Sequence, residues 1–297
     1  MNSTTILDGK ATAEAIRRQL KDEVAELVSR GVQPGLAVIL VGEDPGSVSY
    51  VRGKEQDCIE IGMKDMFHRF PADLPEAELL ALIGRLNGDP AVHGILVQLP
   101  LPKHINERKV IEAINPDKDV DGFHPMNVGR MLLGQDCFLP CTPHGVIRML
   151  EVWKIPTQGK HVVICGRSNI VGKPMIALLL QKGTYGDATV TVCHSRTPDL
   201  ARHVRDADIL IAAIGQAELI KGDMLKPGAV VIDVGVNRIP DASKKSGFRL
   251  VGDVEFATAS QVASAITPVP GGVGLMTRAM LMVNTVQSAR RTLASGN

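Results

Sequence analysis

Aromatic residues are scarce in this chain, one Trp, two Tyr and six Phe among 297 residues, and a groove that stacks successive nucleobases needs more of them. Excess charge is missing too. With 33 Lys and Arg against 32 Asp and Glu the formal net charge is +1, so no global field draws a polyanion and nucleic acid is not expected as a partner. No apolar run approaches the roughly 18 residues that suggest a membrane span. LAVILV (36–41) and ILIAAI (209–214) have the length of buried strands, and no membrane association is expected. The opening MNSTTILDGK lacks a basic segment followed by an apolar one, because Asp8 and Lys10 interrupt it, and it does not read as a secretion signal. Five cysteines (Cys58, Cys137, Cys141, Cys165, Cys193) are odd in number and form no C-x-x-C pair, which favours reduced thiols in a cytoplasmic protein. The eight histidines include no H-E-x-x-H, and no metal is expected.

What is present is the mix of a folded protein, 44% hydrophobic and 22% charged, long enough for two cores. Ile16, Leu20, Val24, Leu27 and Val28 recur at helical spacing up to Gly31, a natural left-handed cap. LAVILV follows as a strand, and Ser47 is placed to cap a helix running to Gly62. A helix from Pro75 to Leu86, a strand at 94–98 and a helix near 107–114 continue the alternation. PDKDVDGFHP (116–125) reads as a loop. Thr142-Pro143 pairs an N-cap with a first-turn proline. Beyond it come HVVIC (161–165), a helix from 172, a strand at 188–193, a helix near 198–205, and strands at 208–214, 229–235 and 266–270, closed by a helix over about 276–294. Such alternation implies an α/β protein whose second half is a doubly wound parallel sheet. The expected division is 1–141 plus 276–297 as a catalytic domain and 142–275 as a Rossmann-like domain, with a cleft between the two.

GRSNIVGKP (166–174) follows one of these strands and opens a helix, where a nucleotide's phosphates meet backbone N–H groups and the helix dipole. It is not the usual G-x-G-x-x-G, and position rather than spelling carries the signal. A P-loop is excluded because five residues separate Gly166 from Gly172 and Pro174 replaces the Ser or Thr that would ligand magnesium. After the next strand the chain reads Cys193-His194-Ser195-Arg196-Thr197, with no carboxylate for a ribose 2′-hydroxyl. Ser195, Arg196 and Arg167 offer a hydroxyl and positive charge for a 2′-phosphate, which favours NADP over NAD. Arg167 is the preferred arginine.

In the first half, Tyr50 and Lys54 lie four apart on one helix, sharing a face with Cys58. Such a pair is commonly only a surface lysine lying beside a ring. Two other segments weigh against that: GILVQLPLP (94–102) puts Gln98 at the carboxyl end of a strand, where parallel sheets present ligands, and VDGFHP puts Asp121 in a loop able to accept hydrogen bonds. ITPVPGGVG (266–274), with two prolines and three glycines, reads as a backbone-lined wall.

Taken together and in this order, YVRGK, GILVQLPLP, PDKDVDGFHP, GRSNIVGKP, CHSRT, VIDVGVN and ITPVPGGVG resemble the bifunctional methylenetetrahydrofolate dehydrogenase/methenyltetrahydrofolate cyclohydrolase family. The resemblance implies NADP-dependent oxidation of 5,10-methylenetetrahydrofolate and hydrolysis of the methenyl product to 10-formyltetrahydrofolate. It further implies that Tyr50 stacks on the folate, Asp121 anchors the pterin, and Lys54, tuned by Gln98, assists water attack and proton transfer. Val97, Gln98, Leu99 and Pro270, Gly271, Gly272, Val273, Gly274 are implied around the folate; Gly166, Arg167, Ser168, Ser195 and Val236 around the NADP; and a homodimer as the assembly. One departure is Leu275, where the family commonly has proline after GGVG, which leaves the shape of that wall open. A dehydrogenase without the hydrolytic step or one that uses NAD, and an NADP-binding scaffold without turnover, remain as alternatives; loss of hydrolysis leaves Lys54 with Gln98 unexplained and the scaffold leaves the whole polar quartet so.

Overall fold

The computed structural model describes residues 4–244 and 247–295. In chain order these form β1 (Thr5–Ile6), α1 (Gly9–Ser29), β2 (Gly35–Val41), α2 (Pro45–Ile61), β3 (Lys64–Phe70), α3 (Glu76–Gly88), β4 (Gly94–Val97), α4 (Glu107–Ala113), α5 (Pro125–Leu132) and α6 (Cys141–Val152). There follow β5 (His161–Cys165), α7 (Gly172–Leu179), β6 (Thr189–Cys193), α8 (Leu200–Arg205), β7 (Ile209–Ala212), β8 (Val230–Asp233), β9 (Asn237–Pro240), β10 (Phe248–Val251), α9 (Phe256–Ala259), β11 (Ala265–Ile266) and α10 (Val273–Ser295). Two compact units result, Met1–Ala13 with Thr142–Thr277, and Glu14–Cys141 with Arg278–Asn297.

The unit of residues 14–141 and 278–297 is built on a parallel three-stranded sheet in the order β3-β2-β4. β2 is buried on both faces, as its unbroken apolar run requires, and α3 lays Leu79, Leu82, Ile83 and Leu86 against the same core. Asp44, not Ser47, caps α2 by accepting from the Ser47 N–H at 2.8 Å, since Pro45 needs no hydrogen bond in the first turn. β3 was not foreseen. KDMFHRF is an edge strand with no fully buried residue, and it lacks the apolar alternation that marks a half-buried strand. The segment 116–125 is a loop as expected, but a short helix starts at its end, where His124 Nδ1 accepts from the Met126 N–H at 3.1 Å.

The other unit carries a six-stranded, wholly parallel sheet ordered β1-β11-β8-β7-β5-β6. The chain passes from β5 outward to β6 and then back to β7 on the other side of β5, a doubly wound arrangement whose switch point lies at the carboxyl end of β5. A β9–β10 hairpin stands apart from this sheet. Two boundaries differ from expectation. The first residues join this unit because β1 pairs with β11, through Thr5 N–H to the Ser264 carbonyl and Leu7 N–H to the Ile266 carbonyl at 2.9 and 2.8 Å; two residues are too few to show a pattern in sequence. The strand expected over 266–270 stops at Ile266, because Pro268 and Pro270 bring no N–H to a ladder.

Candidate active site

On α2 the buried positions Ser47, Val51, Lys54, Cys58 and Ile61 fall at helical spacing, a core stripe with one lysine set in it. Lys54 is 7% exposed. Its Nζ donates to Gln98 Oε1 at 3.0 Å, and the glutamine is itself held: Nε2 donates to the Leu99 carbonyl at 2.7 Å and its backbone N–H to the Ile39 carbonyl at 2.8 Å. Burial lowers the Lys54 pKa, because an ammonium loses hydration there. Asp121 and Cys141 work against that shift, Arg278 adds to it, and Cys58 opposes it.

Asp121 is brought to the amine by the sheet. An isolated parallel bridge pairs Ile95 with Asp119, so two residues further on Asp121 runs beside the end of β4, where Gln98 follows. Asp119 shapes the loop by accepting from the Phe123 and His124 N–H groups at 3.3 and 2.8 Å and from Asn127 Nδ2 at 2.9 Å. Burial raises the pKa of Asp121; the Lys54 charge and a hydrogen bond from the Cys141 thiol oppose this. Tyr50 stands one turn before Lys54 and is 39% exposed, leaving its ring a free face. Val97 is buried, while Leu99 is half-buried. Sequence reading therefore found Lys54, Gln98 and Asp121 as a group, and missed Asp119 and Cys141. A second acid in PDKDVDG and a cysteine directly before Thr142-Pro143 were the available signals.

In the parallel unit Gly166 sits at φ +136° directly after β5, and a Cβ there would run into the Ala213 carbonyl. Only glycine suits that conformation and approach. A Cβ on Gly172 would likewise meet the Gly166 carbonyl. The cradle of GRSNIVGKP is thus a tight backbone turn leading into α7, which fits a dinucleotide pyrophosphate. Ser168 turns out to be engaged locally, its Oγ accepting from the Val171 and Gly172 N–H groups at 3.1 and 3.4 Å, so it shapes the turn. Arg167 is exposed. β5 and β6 pair Cys165 with Cys193, which sets Ser195 and Arg196 on the neighbouring loop; both are exposed. Val236 follows β8 and is 47% exposed.

Sequence reading missed Asp253 altogether. This buried carboxylate accepts from the Ile214, Gly215 and Gln216 N–H groups and from Asn237 Nδ2, at 2.5 to 3.0 Å, gathering the loops after β7 and β8. Pro270 to Gly274 belong to this unit rather than to that of Lys54. Gly271 is at φ +106°, and its carbonyl accepts from the Lys10 N–H at 3.1 Å. Val273, Gly274 and Leu275 are already helical, the first turn of α10. Proline and leucine are both tolerated in a first helical turn, so Leu275 leaves the helix start intact.

A doubly wound sheet with a glycine turn at its switch point, together with a second parallel sheet that presents a buried amine, has the build of an α/β dehydrogenase of the nicotinamide-dinucleotide class. Family models narrow this: the tetrahydrofolate dehydrogenase/cyclohydrolase catalytic domain matches residues 7–121 and the NAD(P)-binding domain residues 140–293. The chain belongs to the tetrahydrofolate dehydrogenase/cyclohydrolase family. It is 58% identical to the bifunctional protein FolD of Bacillus subtilis over 98% of this chain and 100% of that protein. Among solved structures, the bifunctional FolD of Campylobacter jejuni superposes with a TM-score of 0.92 at 49% identity, covering 98% of this chain and all of the other. The Trypanosoma brucei methylenetetrahydrofolate dehydrogenase-cyclohydrolase, solved with NADP and an inhibitor, gives 0.94 at 41% identity and 99% coverage of both chains. The chain is accordingly a bifunctional oxidoreductase and hydrolase of tetrahydrofolate one-carbon chemistry.

Proposed function

We propose that Lys54 is the acid–base group for hydrolysis of the methenyl product to 10-formyltetrahydrofolate in this chain, while 5,10-methylenetetrahydrofolate oxidation with NADP passes a hydride and needs mainly alignment. The observation that carries this is the buried Lys54 amine held 3.0 Å from a fixed Gln98 carbonyl oxygen, with Asp121 beside it. An amine whose pKa is lowered by burial is available in its neutral form nearer to physiological pH. In that form it accepts a proton from the water attacking the methenyl carbon. The carbon–nitrogen bond then breaks, the hydroxyl proton passes to the departing nitrogen, and one proton is released overall. Asp121 accepts hydrogen bonds from the pterin, and the exposed ring of Tyr50 stacks on it. Val97 and Leu99 complete the folate surroundings within this unit.

NADP, when bound, supplies the hydride acceptor. Gly166 leaves room for its phosphates, while Arg167, Ser195 and Arg196 offer the 2′-phosphate a hydroxyl and positive charge where an NAD site has a carboxylate. Val236 and the local turn made by Ser168 complete that surface. The dehydrogenase-only alternative is disfavoured by the Lys54–Gln98 bond. A steady-state assay with methylenetetrahydrofolate and each nicotinamide decides between them: 10-formyl product and faster turnover with NADP support this reading, whereas accumulating methenyl product overturns it.

We place the protein in the cytoplasm as a homodimer, with no nucleic-acid partner. The balanced charge, the unpaired set of cysteines and family membership support this reading. Among the described residues no helix is long and apolar enough to cross a membrane. Sedimentation velocity at micromolar concentration checks the assembly, a monomer being the result that refutes it.

A further inference from the structure

The last helix supplies a cation behind the lysine site that none of the sequence motifs contains. Arg278, on α10, reaches α2, where its Nε and Nη2 donate to the two carboxylate oxygens of Asp57 at 2.7 Å each, and Nη2 also donates to the Gly53 carbonyl at 2.7 Å. The Asp57 side chain is 3% exposed. Arg17 on α1 approaches it at 3.7 Å but gives its closer contact to Glu60, at 3.1 Å. Gly53 is the seat of this arrangement, since a Cβ there would come within 2.6 Å of the Arg278 guanidinium. Gly53 immediately precedes Lys54 and Asp57 lies one turn beyond it, so the guanidinium grips the very turn that carries the amine. A planar fork bound to both carboxylate oxygens fixes orientation as well as distance, which a lysine in its place does not do.

We propose that Arg278 is a positioning residue for Lys54: clamped on Asp57 and the Gly53 carbonyl, it holds α2 so that Nζ meets Gln98, and it keeps a cation next to the amine. This rests on the reading of Lys54 as the acid–base group. The ionisable groups facing the amine come from four elements. Asp121 from the loop before α5, Cys141 at the start of α6 and Cys58 on α2 itself all favour the ammonium form. Of the four, Arg278 on α10 is the one that favours the neutral amine. Asp57 neutralises the guanidinium in part, so removing the cation and removing its carboxylate partner are expected to change the field at Lys54 in opposite directions.

The experiment follows the Lys54 Nζ titration by NMR in the full chain labelled with nitrogen-15, the signal being assigned by its loss in K54M. Replacing Arg278 by Met, which keeps the length and removes the charge, is expected to move that titration upward by about one pH unit. The acid limb of methenyl hydrolysis should move with it and KM should rise as the forked grip on α2 is lost, and R278K should restore much of the titration without restoring KM. D57N, which removes the anion and leaves the guanidinium, is expected to move the titration downward. A Lys54 titration unchanged in R278M overturns the proposal. Should R278M not fold, an unmoved or raised titration in D57N overturns it equally. Hydrolysis that survives in K54M would instead sink the underlying reading of Lys54, and so the two failures are told apart.

Discussion

The lysine site and the dinucleotide site solve opposite problems. The Lys54 amine is buried and already bonded to the half-buried Gln98 amide, with Asp121 half-buried as well, so the amine and the amide are set before substrate arrives. At the glycine turn the side chains expected to meet the cofactor, Arg167, Ser195, Arg196 and Val236, are exposed, and the fixed part is backbone. Proton transfer needs a shifted pKa, which only burial and fixed neighbours provide. Phosphate recognition needs open N–H groups and charge, which remain useful in water. On the proposed roles, chemistry would account for the deep site and recognition for the shallow one.

The sharpest way to break this contrast is K54M, expected to reduce methenyl hydrolysis by about 10²- to 10⁴-fold while NADP affinity, measured by fluorescence titration, stays close to that of the parent. Retained hydrolysis would remove the deep site from the mechanism. Next in size, G166A drives a Cβ toward the Ala213 carbonyl at an unfavourable φ, and strain of 1–3 kcal/mol predicts NADP binding weaker by roughly ten- to a hundredfold. Hydrolysis of supplied methenyl substrate should continue in that variant; its loss would mean the two sites are not separable. R167A should narrow the preference for NADP over NAD by about tenfold in kcat/KM, and an unaltered ratio would transfer that task to Arg196. S168A removes the oxygen that accepts two N–H groups at the start of α7 and should cost about 1 kcal/mol in chemical denaturation, with NADP selectivity unaffected.

The smallest effect compares the two cores. Burial raises Asp119 in one unit to about 6 and Asp233 in the other to about 7. Because both folded values lie above the unfolded ones, the stability they contribute is complete below the unfolded pKa and declines as pH rises through about 6 and 7. Thermal unfolding recorded from pH 4 to pH 8 should therefore fall less steeply in D233N than in the parent, and an identical slope would refute the assignment.

Much of this was legible in the sequence because it lies in patterns of short range. The unbroken run 36–41, the stripe of α3 and the strand before GRSNIVGKP each announce themselves through periodicity or composition. So did Lys54, Gln98 and Asp121, though their union depended on family motifs. What stayed hidden depends on partners far along the chain. β3 looks polar because its strand is an edge, β1 needs β11 some 260 residues away to exist as a strand (Thr5 opposite Ala265), and Asp253 has meaning only beside the loop of 214–216. Arg278 sits in a plain helical sequence, and nothing local signals the carboxylate 221 residues earlier that it binds.

Asp253 has one more implication. Three successive amides at 214–216 point at a common centre, the kind of concavity that captures anions, yet the protein has filled it with a carboxylate of its own. That internal acceptor leaves the concavity already filled from within the fold. It also lets the loop after β7 hold its form with no guest, so amide exchange there should be slow before the coenzyme is added as well as after.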